Sequence, residues 1–85
     1  KYLPCFYCDC TGNRCKKSGE TIPYEWPDLL GVEIMRAKAT VESTNSNVTA
    51  VPLDYRCLHI WNTCCNRVWL CPDAKGRVRE IPMVG

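Results

Sequence analysis

The 85-residue chain lacks most of the features that mark an enzyme, a nucleic-acid binder or a membrane protein. It has a single histidine and no Ser–His–acid set, no glycine-rich phosphate loop and no paired carboxylates in a pocket-forming context, so we expect no catalysis. Its net charge of +2 is too small to predict binding to nucleic acid or to an anionic membrane. Apolar runs extend over only a few residues, so no segment is predicted to span a bilayer.

Cysteine, by contrast, is abundant. A domain of this size buries too little apolar surface to be stable without cross-links, and so high a cysteine content is typical of disulfide frameworks made in an oxidising compartment. Residues 1–5 show no basic and apolar leader, and we expect a mature, secreted protein. Eight cysteines allow 105 pairings, which spacing alone does not resolve. They are Cys5, Cys8, Cys10, Cys15, Cys57, Cys64, Cys65 and Cys71.

The spacing C-x2-C-x-C at Cys5, Cys8 and Cys10 also raises the possibility of a zinc site. A structural zinc site wants paired C-x2-C knuckles or a cysteine–histidine set, whereas the second half of the chain offers the adjacent Cys64 and Cys65. Disulfides are therefore the favoured interpretation, and we expect neither a metal nor a cofactor.

The composition changes at about residue 24. Residues 1–24 hold four cysteines, show no hydrophobic period and contain too little apolar sequence to fold alone. Residues 25–85 have the pattern of a small globular domain. We therefore expect residues 1–24 to be tethered to residues 25–85 by disulfides, with at least two bridges crossing between them.

Hydrophobic periodicity in residues 25–85 predicts one helix and a few short strands. Ile34, Ala37 and Val41 form an apolar stripe that predicts a helix over about residues 33–44, with Glu33 as a poor N-cap. Three strands are predicted, over residues 48–53, 67–71 and 78–82. The fold class is therefore α+β, with one helix packed on a small mixed sheet. Residues 54–65 are predicted to be a long connection, which in so small a domain is expected to be functional.

Several short motifs occur in a fixed order from Glu25 to Gly85. They are Glu25-Trp26-Pro27-Asp28-Leu29-Leu30-Gly31, Ala37-Lys38, Asn47-Val48-Thr49-Ala50-Val51, Cys65-Asn66-Arg67-Val68-Trp69-Leu70, Val78, Ile81-Pro82 and Val84-Gly85. By these motifs residues 25–85 resemble the potato inhibitor I family of serine protease inhibitors. In that family the long connection is an extended loop that a protease binds as if it were substrate.

The resemblance implies a position for the reactive bond. It places the P1 residue at Trp61 and the scissile bond between Trp61 and Asn62. Trp61 suits a deep apolar pocket, which implies chymotrypsin-like or subtilisin-like serine proteases as partners of a monomeric inhibitor. If Arg56 were presented instead, trypsin would be the target. The implied contact residues are His59, Ile60, Trp61, Asn62, Thr63 and Cys64.

The resemblance also implies how the loop is supported. Basic side chains of the second strand reach polar groups beside the scissile bond, and Arg67 matches one of them. The chain departs from the usual pattern at Ile60, where Thr is common, and at Asn62, where an acidic residue is common. A basic residue is replaced by Cys64, and a second supporting arginine by Trp69, whose indole can donate one hydrogen bond and pack.

Cysteines near the loop are expected to add rigidity. Cys65 occupies the position of a half-cystine that pairs with an N-terminal cysteine in many plant members, and the resemblance implies the same here, with Cys15 as the nearest candidate. Cys57 and Cys64 flank Trp61, and we expect them to bond to each other or each to residues 1–24. Such a bridge is worth about 2–4 kcal/mol against the unfolded chain.

Other interpretations remain open from the sequence. The altered loop could belong to a family member that no longer inhibits and acts as a disulfide-rich defence or toxin-like ligand through residues 1–24, or to a storage protein. The sequon Asn47-Val48-Thr49 is equally compatible with glycosylation and with a purely structural role. His59 is interpreted as a solvated loop residue rather than a catalytic base.

Overall fold

The computed structural model describes residues 4–58 and 62–85. In these residues one helix, α1, packs on a pair of strands, β1 and β2, which is the α+β class predicted from the sequence. The elements are α1 (Ile34–Thr44), β1 (Thr49–Pro52), β2 (Arg67–Leu70) and two short 3-10 helices, Gly12–Cys15 and Pro27–Leu29. Among the described residues no helix has the length and apolar content needed to cross a membrane.

Helix α1 buries the stripe that the sequence predicts, formed by Ile34, Ala37 and Val41. Its start is better capped than expected. The prediction that Glu33 is a poor N-cap is wrong, because its carboxylate accepts hydrogen bonds from the backbone N–H groups of Met35 (2.9 Å) and Arg36 (3.2 Å). A longer acidic side chain thus satisfies free donors of the first turn and adds negative charge at the positive end of the helix dipole.

The core lies between α1, the strands and the segments on either side of them. Trp26 joins the segment before α1 to its last turn, because its indole N–H donates to the Thr44 hydroxyl oxygen at 2.9 Å. The buried cluster consists of Trp26, Leu29, Ile34, Ala37, Val41, Val48, Ala50, Val68, Leu70, Val78 and Val84.

An ion pair within α1 also hydrogen bonds to the backbone of β1. Lys38 donates to the Glu42 carboxylate at 2.6 Å and to the Ala50 carbonyl at 3.0 Å, and Glu42 accepts the Ala50 N–H at 2.9 Å. Burial alone would raise the pKa of Glu42, but the hydrogen bonds from Lys38 and Ala50 outweigh it and hold that pKa below its ordinary value. The pair therefore fixes the distance between helix and sheet at the strand edge.

Strands β1 and β2 run parallel, with Thr49 opposite Arg67 and Pro52 opposite Leu70. Two adjacent parallel strands cannot be joined by a tight turn, because the chain must return the full strand length before it pairs again. Such a crossover is commonly a helix; here residues 53–66 make it, and their described part holds no helix. The parallel topology therefore requires a long connection at one edge of the molecule.

The strand predicted over residues 78–82 is wrong. The Val78 N–H donates to the Val32 carbonyl at 2.8 Å, and the Arg79 N–H donates to the Cys71 carbonyl at 3.0 Å. Successive donors thus reach different parts of the chain, and the proline within the segment has no N–H to offer. Apolar alternation alone could not reveal that these residues make isolated contacts instead of a ladder.

The last residues of the chain return to β2. Val84 forms an isolated antiparallel bridge with Val68 and is fully buried. The Gly85 N–H donates to the Arg67 carbonyl at 2.9 Å. This contact places the backbone of Gly85 beside the side chain of Arg67.

Candidate functional site

The residues predicted to contact a partner belong to the crossover between β1 and β2. His59, Ile60 and Trp61 lie outside the described residues, so their predicted roles stay predictions. The structure describes the chain on both sides of them, which we call the amino-side leg (residues 53–58) and the carboxyl-side leg (residues 62–66).

Arg67 grips the first residue of the carboxyl-side leg. Its Nη1 donates to Asn62 Oδ1 and its Nη2 donates to the Asn62 carbonyl oxygen, both at 2.7 Å. The Nε of the same guanidinium donates to the main-chain oxygen of Gly85 at 3.2 Å. All three nitrogens of the planar guanidinium are engaged, so the side chain has little freedom to rotate and Asn62 is fixed in two places.

The guanidinium of Arg67 is buried and stacked. The ring of Trp69 lies 4.2 Å from its central carbon, a cation–π contact that covers one face of the fork. Burial lowers the pKa of Arg67, and its electrostatic interaction with Tyr7 partly offsets this, but an arginine remains charged at any physiological pH. Trp69 thus stacks on the guanidinium of Arg67.

The carboxyl-side leg also pairs with residues 4–8, which we call the flanking segment. Tyr7 and Cys64 form an antiparallel bridge. The Cys8 N–H donates to the Thr63 carbonyl at 3.1 Å, and the Cys65 N–H donates to the Phe6 carbonyl at 2.9 Å. The flanking segment therefore lies alongside the leg like a neighbouring strand.

Asn66 completes this pairing, and sequence reasoning missed its role. Its Oδ1 accepts the Phe6 N–H at 3.0 Å, and its Nδ2 donates to the Pro4 carbonyl at 2.7 Å. A buried amide that offers one acceptor and one donor replaces a backbone partner for the flanking segment. A single asparagine carries no periodic or motif signal, so only the fold reveals this function.

Two disulfides, Cys5–Cys64 and Cys8–Cys65, join the flanking segment to the carboxyl-side leg. The expected pairing of Cys65 with Cys15 is wrong. Cys15 bonds to Cys10 because the 3-10 turn that starts at Gly12 folds the chain back on itself. The φ of +55° at Gly12 is one that other residues adopt only with strain.

Cys15 nevertheless lies close to Cys65, the partner expected for it. Its Sγ lies 3.8 Å from that of Cys65, and the sulfurs of Cys8, Cys10, Cys15 and Cys65 all lie within 4.8 Å of one another. Zinc is bound by thiolates. In the oxidised protein these sulfurs are paired in two disulfides, so they do not form the thiolate set that the C-x2-C-x-C spacing suggests.

The amino-side leg is held by a local turn and one disulfide. The Asp54 carboxylate accepts hydrogen bonds from the Arg56 N–H (3.0 Å) and from its guanidinium (2.8 Å). These hydrogen bonds hold the pKa of Asp54 below its ordinary value. Cys57 follows with a φ of +55° and bonds to Cys71, which is neither of the pairings expected for it. The turn thus brings Cys57 to Cys71, the residue after β2.

Known proteins match this chain over most of its length. A sequence model described as the potato inhibitor I family matches residues 17–85. A trypsin/subtilisin inhibitor of Amaranthus caudatus is 35% identical over 60 residues, which cover 71% of this chain and 87% of that protein. An inhibitor of trypsin and Hageman factor from Cucurbita maxima is 38% identical over 60 residues, covering 71% and 88%. The crystal structure of bitter gourd trypsin inhibitor superimposes with a TM-score of 0.70 at 31% identity, covering 73% of this chain and 91% of that one.

The fold and these similarities place the molecule among the small protease-inhibitor domains, proteins that bind an enzyme and are not enzymes themselves. The role of Arg67 as a loop support, which the sequence resemblance implies, stays a prediction. More narrowly, the chain belongs to the potato inhibitor I family. The matched region begins at residue 17, inside the cysteine-rich segment, so the division predicted at residue 24 stays a prediction.

Proposed function

We propose that the chain inhibits serine proteases by presenting residues 59–64 to the active-site cleft as a substrate-like loop. Trp61 is the P1 residue in this proposal, and the reactive bond joins Trp61 to Asn62. The observation that carries the proposal is the double hydrogen bond from Arg67 to the side-chain and main-chain oxygens of Asn62. No fold requirement explains why a buried arginine should grip the first described residue after the loop tip, whereas inhibition does.

Inhibition of this kind depends on what happens after the protease attacks. The acyl part of the cleaved bond becomes attached to the enzyme, and in a substrate the amine part then leaves. Here the amine belongs to Asn62, which Arg67 holds in place. An amine that stays beside the acyl group re-forms the peptide bond faster than water hydrolyses the acyl-enzyme. A loop that is already rigid also loses little conformational entropy on binding, which raises affinity.

The departures from the usual loop sequence are compatible with this function. Asn62 lacks the negative charge of an acidic residue, but its amide oxygen still accepts a hydrogen bond from the Arg67 guanidinium, and hydrogen bonds from charged donors are the stronger kind. Cys64 replaces a basic residue and is bonded to Cys5, so a covalent link holds the leg where an ion pair is missing.

The identity of P1 determines the expected target. A tryptophan requires a deep apolar pocket, so the proposed partners are chymotrypsin-like or subtilisin-like proteases. Trypsin, whose pocket is acidic, is expected to bind weakly, although all three similar proteins described above are named for it. We further propose that the inhibitor acts outside the cell as a monomer, because four disulfides are typical of an oxidising compartment.

The test is a stoichiometric titration of chymotrypsin, subtilisin and trypsin with the oxidised protein, followed by reduction and mass analysis. We expect tight inhibition of the first two and slow cleavage after Trp61 only. The matched variants are Trp61→Arg, which should transfer inhibition to trypsin, and Arg56→Ala, which should change nothing. Cleavage after Arg56 with inhibition of trypsin would move the reactive bond. A folded, intact chain that inhibits none of the three would sink the proposal and favour a ligand acting through residues 1–24.

A further inference from the structure

The most exposed large apolar side chains of the described residues all lie beside the loop. Phe6 is 67% exposed and Tyr7 76%, both in the flanking segment, while Tyr55 is 72% and Leu58 67% exposed, both in the amino-side leg. Every other large apolar side chain of the described residues is less exposed. Single exposed apolar residues are ordinary, but their concentration around one feature marks an interaction surface.

The backbone of the two aromatic residues of the flanking segment is restrained although their side chains are exposed. The Phe6 N–H and carbonyl are both hydrogen bonded, to Asn66 Oδ1 and to the Cys65 N–H respectively. Disulfides anchor the residues on either side, Cys5 and Cys8. Aromatic side chains have only two χ angles, so on a restrained backbone they bind with a small loss of conformational entropy, and they are enriched at interfaces.

Their position relative to the residues that follow Asn62 is also defined. Tyr7 forms a bridge with Cys64, and the neighbouring Cys8 pairs with Thr63. Thr63 and Cys64 directly follow Asn62, so in the proposed complex they occupy the part of the cleft that binds the amine side of the substrate. Adjacent strands lie about 5 Å apart. A protease that covers this leg therefore also covers the flanking segment.

We propose that Phe6 and Tyr7 form a second contact with the protease bound at the loop, against apolar surface beside the amine side of its cleft. This inference rests on the proposed function. It assigns a role in affinity and target choice to residues 4–8, which lie before the region matched by the family. Proteases with an apolar rim on that side are bound more tightly than those with a charged one.

The inference is tested with the inhibition constants of the wild type, the double variant Phe6→Ala/Tyr7→Ala and the control Met35→Ala. Met35 is 58% exposed on α1, so its replacement removes a similar apolar surface elsewhere. We expect the constant of the double variant to rise at least tenfold, the loss typical of a central interface residue, and that of the control to change less than twofold. The conservative Tyr7→Phe should stay close to wild type.

Two further measurements separate contact from loop support. Because both residues are exposed, the double variant should keep the thermal midpoint of the wild type, and the equilibrium ratio of intact to nicked inhibitor should not move. A shifted ratio would show that the aromatics act through the loop and would overturn the inference. An unchanged inhibition constant in the double variant overturns the inference while the proposed function stands. A wild type that inhibits no protease overturns both.

Discussion

The two legs of the loop are restrained by different numbers of disulfides and hydrogen bonds. The amino-side leg has one disulfide, Cys57–Cys71, and a local turn around Asp54, and it leaves Tyr55 and Leu58 exposed. The carboxyl-side leg has two disulfides, two hydrogen bonds from Arg67, and a flanking segment that pairs along its length. Among the described residues, most of the restraint is on the side that follows the proposed reactive bond.

The difference corresponds to the chemistry of acyl transfer. A protease holds the acyl half of a cleaved bond itself, through a covalent link, and only the amine half is free to leave. An inhibitor therefore gains most by restraining the amine half. The unequal support of the two legs is what this argument predicts for a loop cleaved between Trp61 and Asn62, and it can be tested leg by leg.

Removing both disulfides of the carboxyl-side leg should have the largest effect. Alanine at Cys5, Cys8, Cys64 and Cys65 releases a chain loop closed over separations of 59 and 57 residues, which should lower the free energy of unfolding by about 4 kcal/mol. Either pair alone should cost far less, because the remaining bridge still closes nearly the same loop. Urea unfolding of the oxidised proteins measures both quantities. Additive costs for the two pairs would contradict this redundancy.

The amino-side leg provides the matched comparison. Replacing Cys57 and Cys71 by alanine opens a loop with a separation of 14 residues and should cost about 3 kcal/mol in unfolding free energy. No neighbouring bridge replaces this one. Its removal should therefore lower the free energy of unfolding more than the removal of either carboxyl-side bridge alone. The prediction fails if the variant without Cys57–Cys71 is more stable than the variants that lack one carboxyl-side bridge.

The two arginines beside the legs should differ sharply. Arg67→Ala removes two charge-assisted hydrogen bonds to Asn62, so inhibition should weaken by about 3 kcal/mol, over a hundredfold, and cleavage after Trp61 should accelerate. Arg67→Lys keeps the charge but not the two parallel N–H donors of the guanidinium, so its inhibition constant should lie between those of the wild type and Arg67→Ala. Arg56→Ala, on the exposed leg, should leave inhibition constant and cleavage rate as they are. Equal effects at the two positions would remove the distinction between the legs.

Asn66 tests the flanking segment separately from the disulfides. Asn66→Ala leaves the Phe6 N–H and the Pro4 carbonyl without their partner and should cost about 1–2 kcal/mol in unfolding free energy. The exchange of the Phe6 amide hydrogen with solvent should accelerate, whereas amides in α1 should not respond. Asn47→Ala, at an exposed position, is the control. Protection of the Phe6 amide in the variant would show that the disulfides alone order this segment.

Of the two legs, acidification should affect only the amino-side leg, and this is the smallest of the expected effects. Hydrogen bonds from Arg56 hold the pKa of Asp54 below its ordinary value of 3.8, so the carboxylate stabilises the turn at higher pH. That contribution is lost as the pH falls from 3.8 through the folded-state pKa. Nuclear magnetic resonance should show the Arg56 and Cys57 amide shifts following the Asp54 titration. Asp54→Asn should abolish that titration, and its persistence would assign it to another group.

The features predicted correctly from the sequence are those with a local signal. The stripe of Ile34, Ala37 and Val41 has helical spacing, and α1 begins and ends within a residue of the expected bounds. β1 and β2 fall inside the first two predicted strands. The long connection between them was recognised because no pattern filled it. Each of these is decided by neighbouring residues, so one sequence is sufficient.

The features missed depend on contacts between distant parts of the chain. The cap at Glu33 is the exception, because it is local and was missed only since glutamate is not among the residues usually preferred at an N-cap. The bond between Cys8 and Cys65, instead of Cys15, depends on a turn that closes Cys15 onto Cys10. The role of Asn66 exists only because residues 4–8 lie beside it. The spacing of residues along the chain contains no information on such tertiary contacts.

The arrangement of the disulfides has a consequence for a protein cut at its own reactive bond. Cleavage between Trp61 and Asn62 would give two peptides, 1–61 and 62–85, and three of the four bridges, Cys5–Cys64, Cys8–Cys65 and Cys57–Cys71, connect one peptide to the other. The cut molecule gains one water and remains a single covalent unit. Its two new ends stay at an effective molarity that no dilution lowers, so resynthesis of the bond is an intramolecular reaction at any inhibitor concentration.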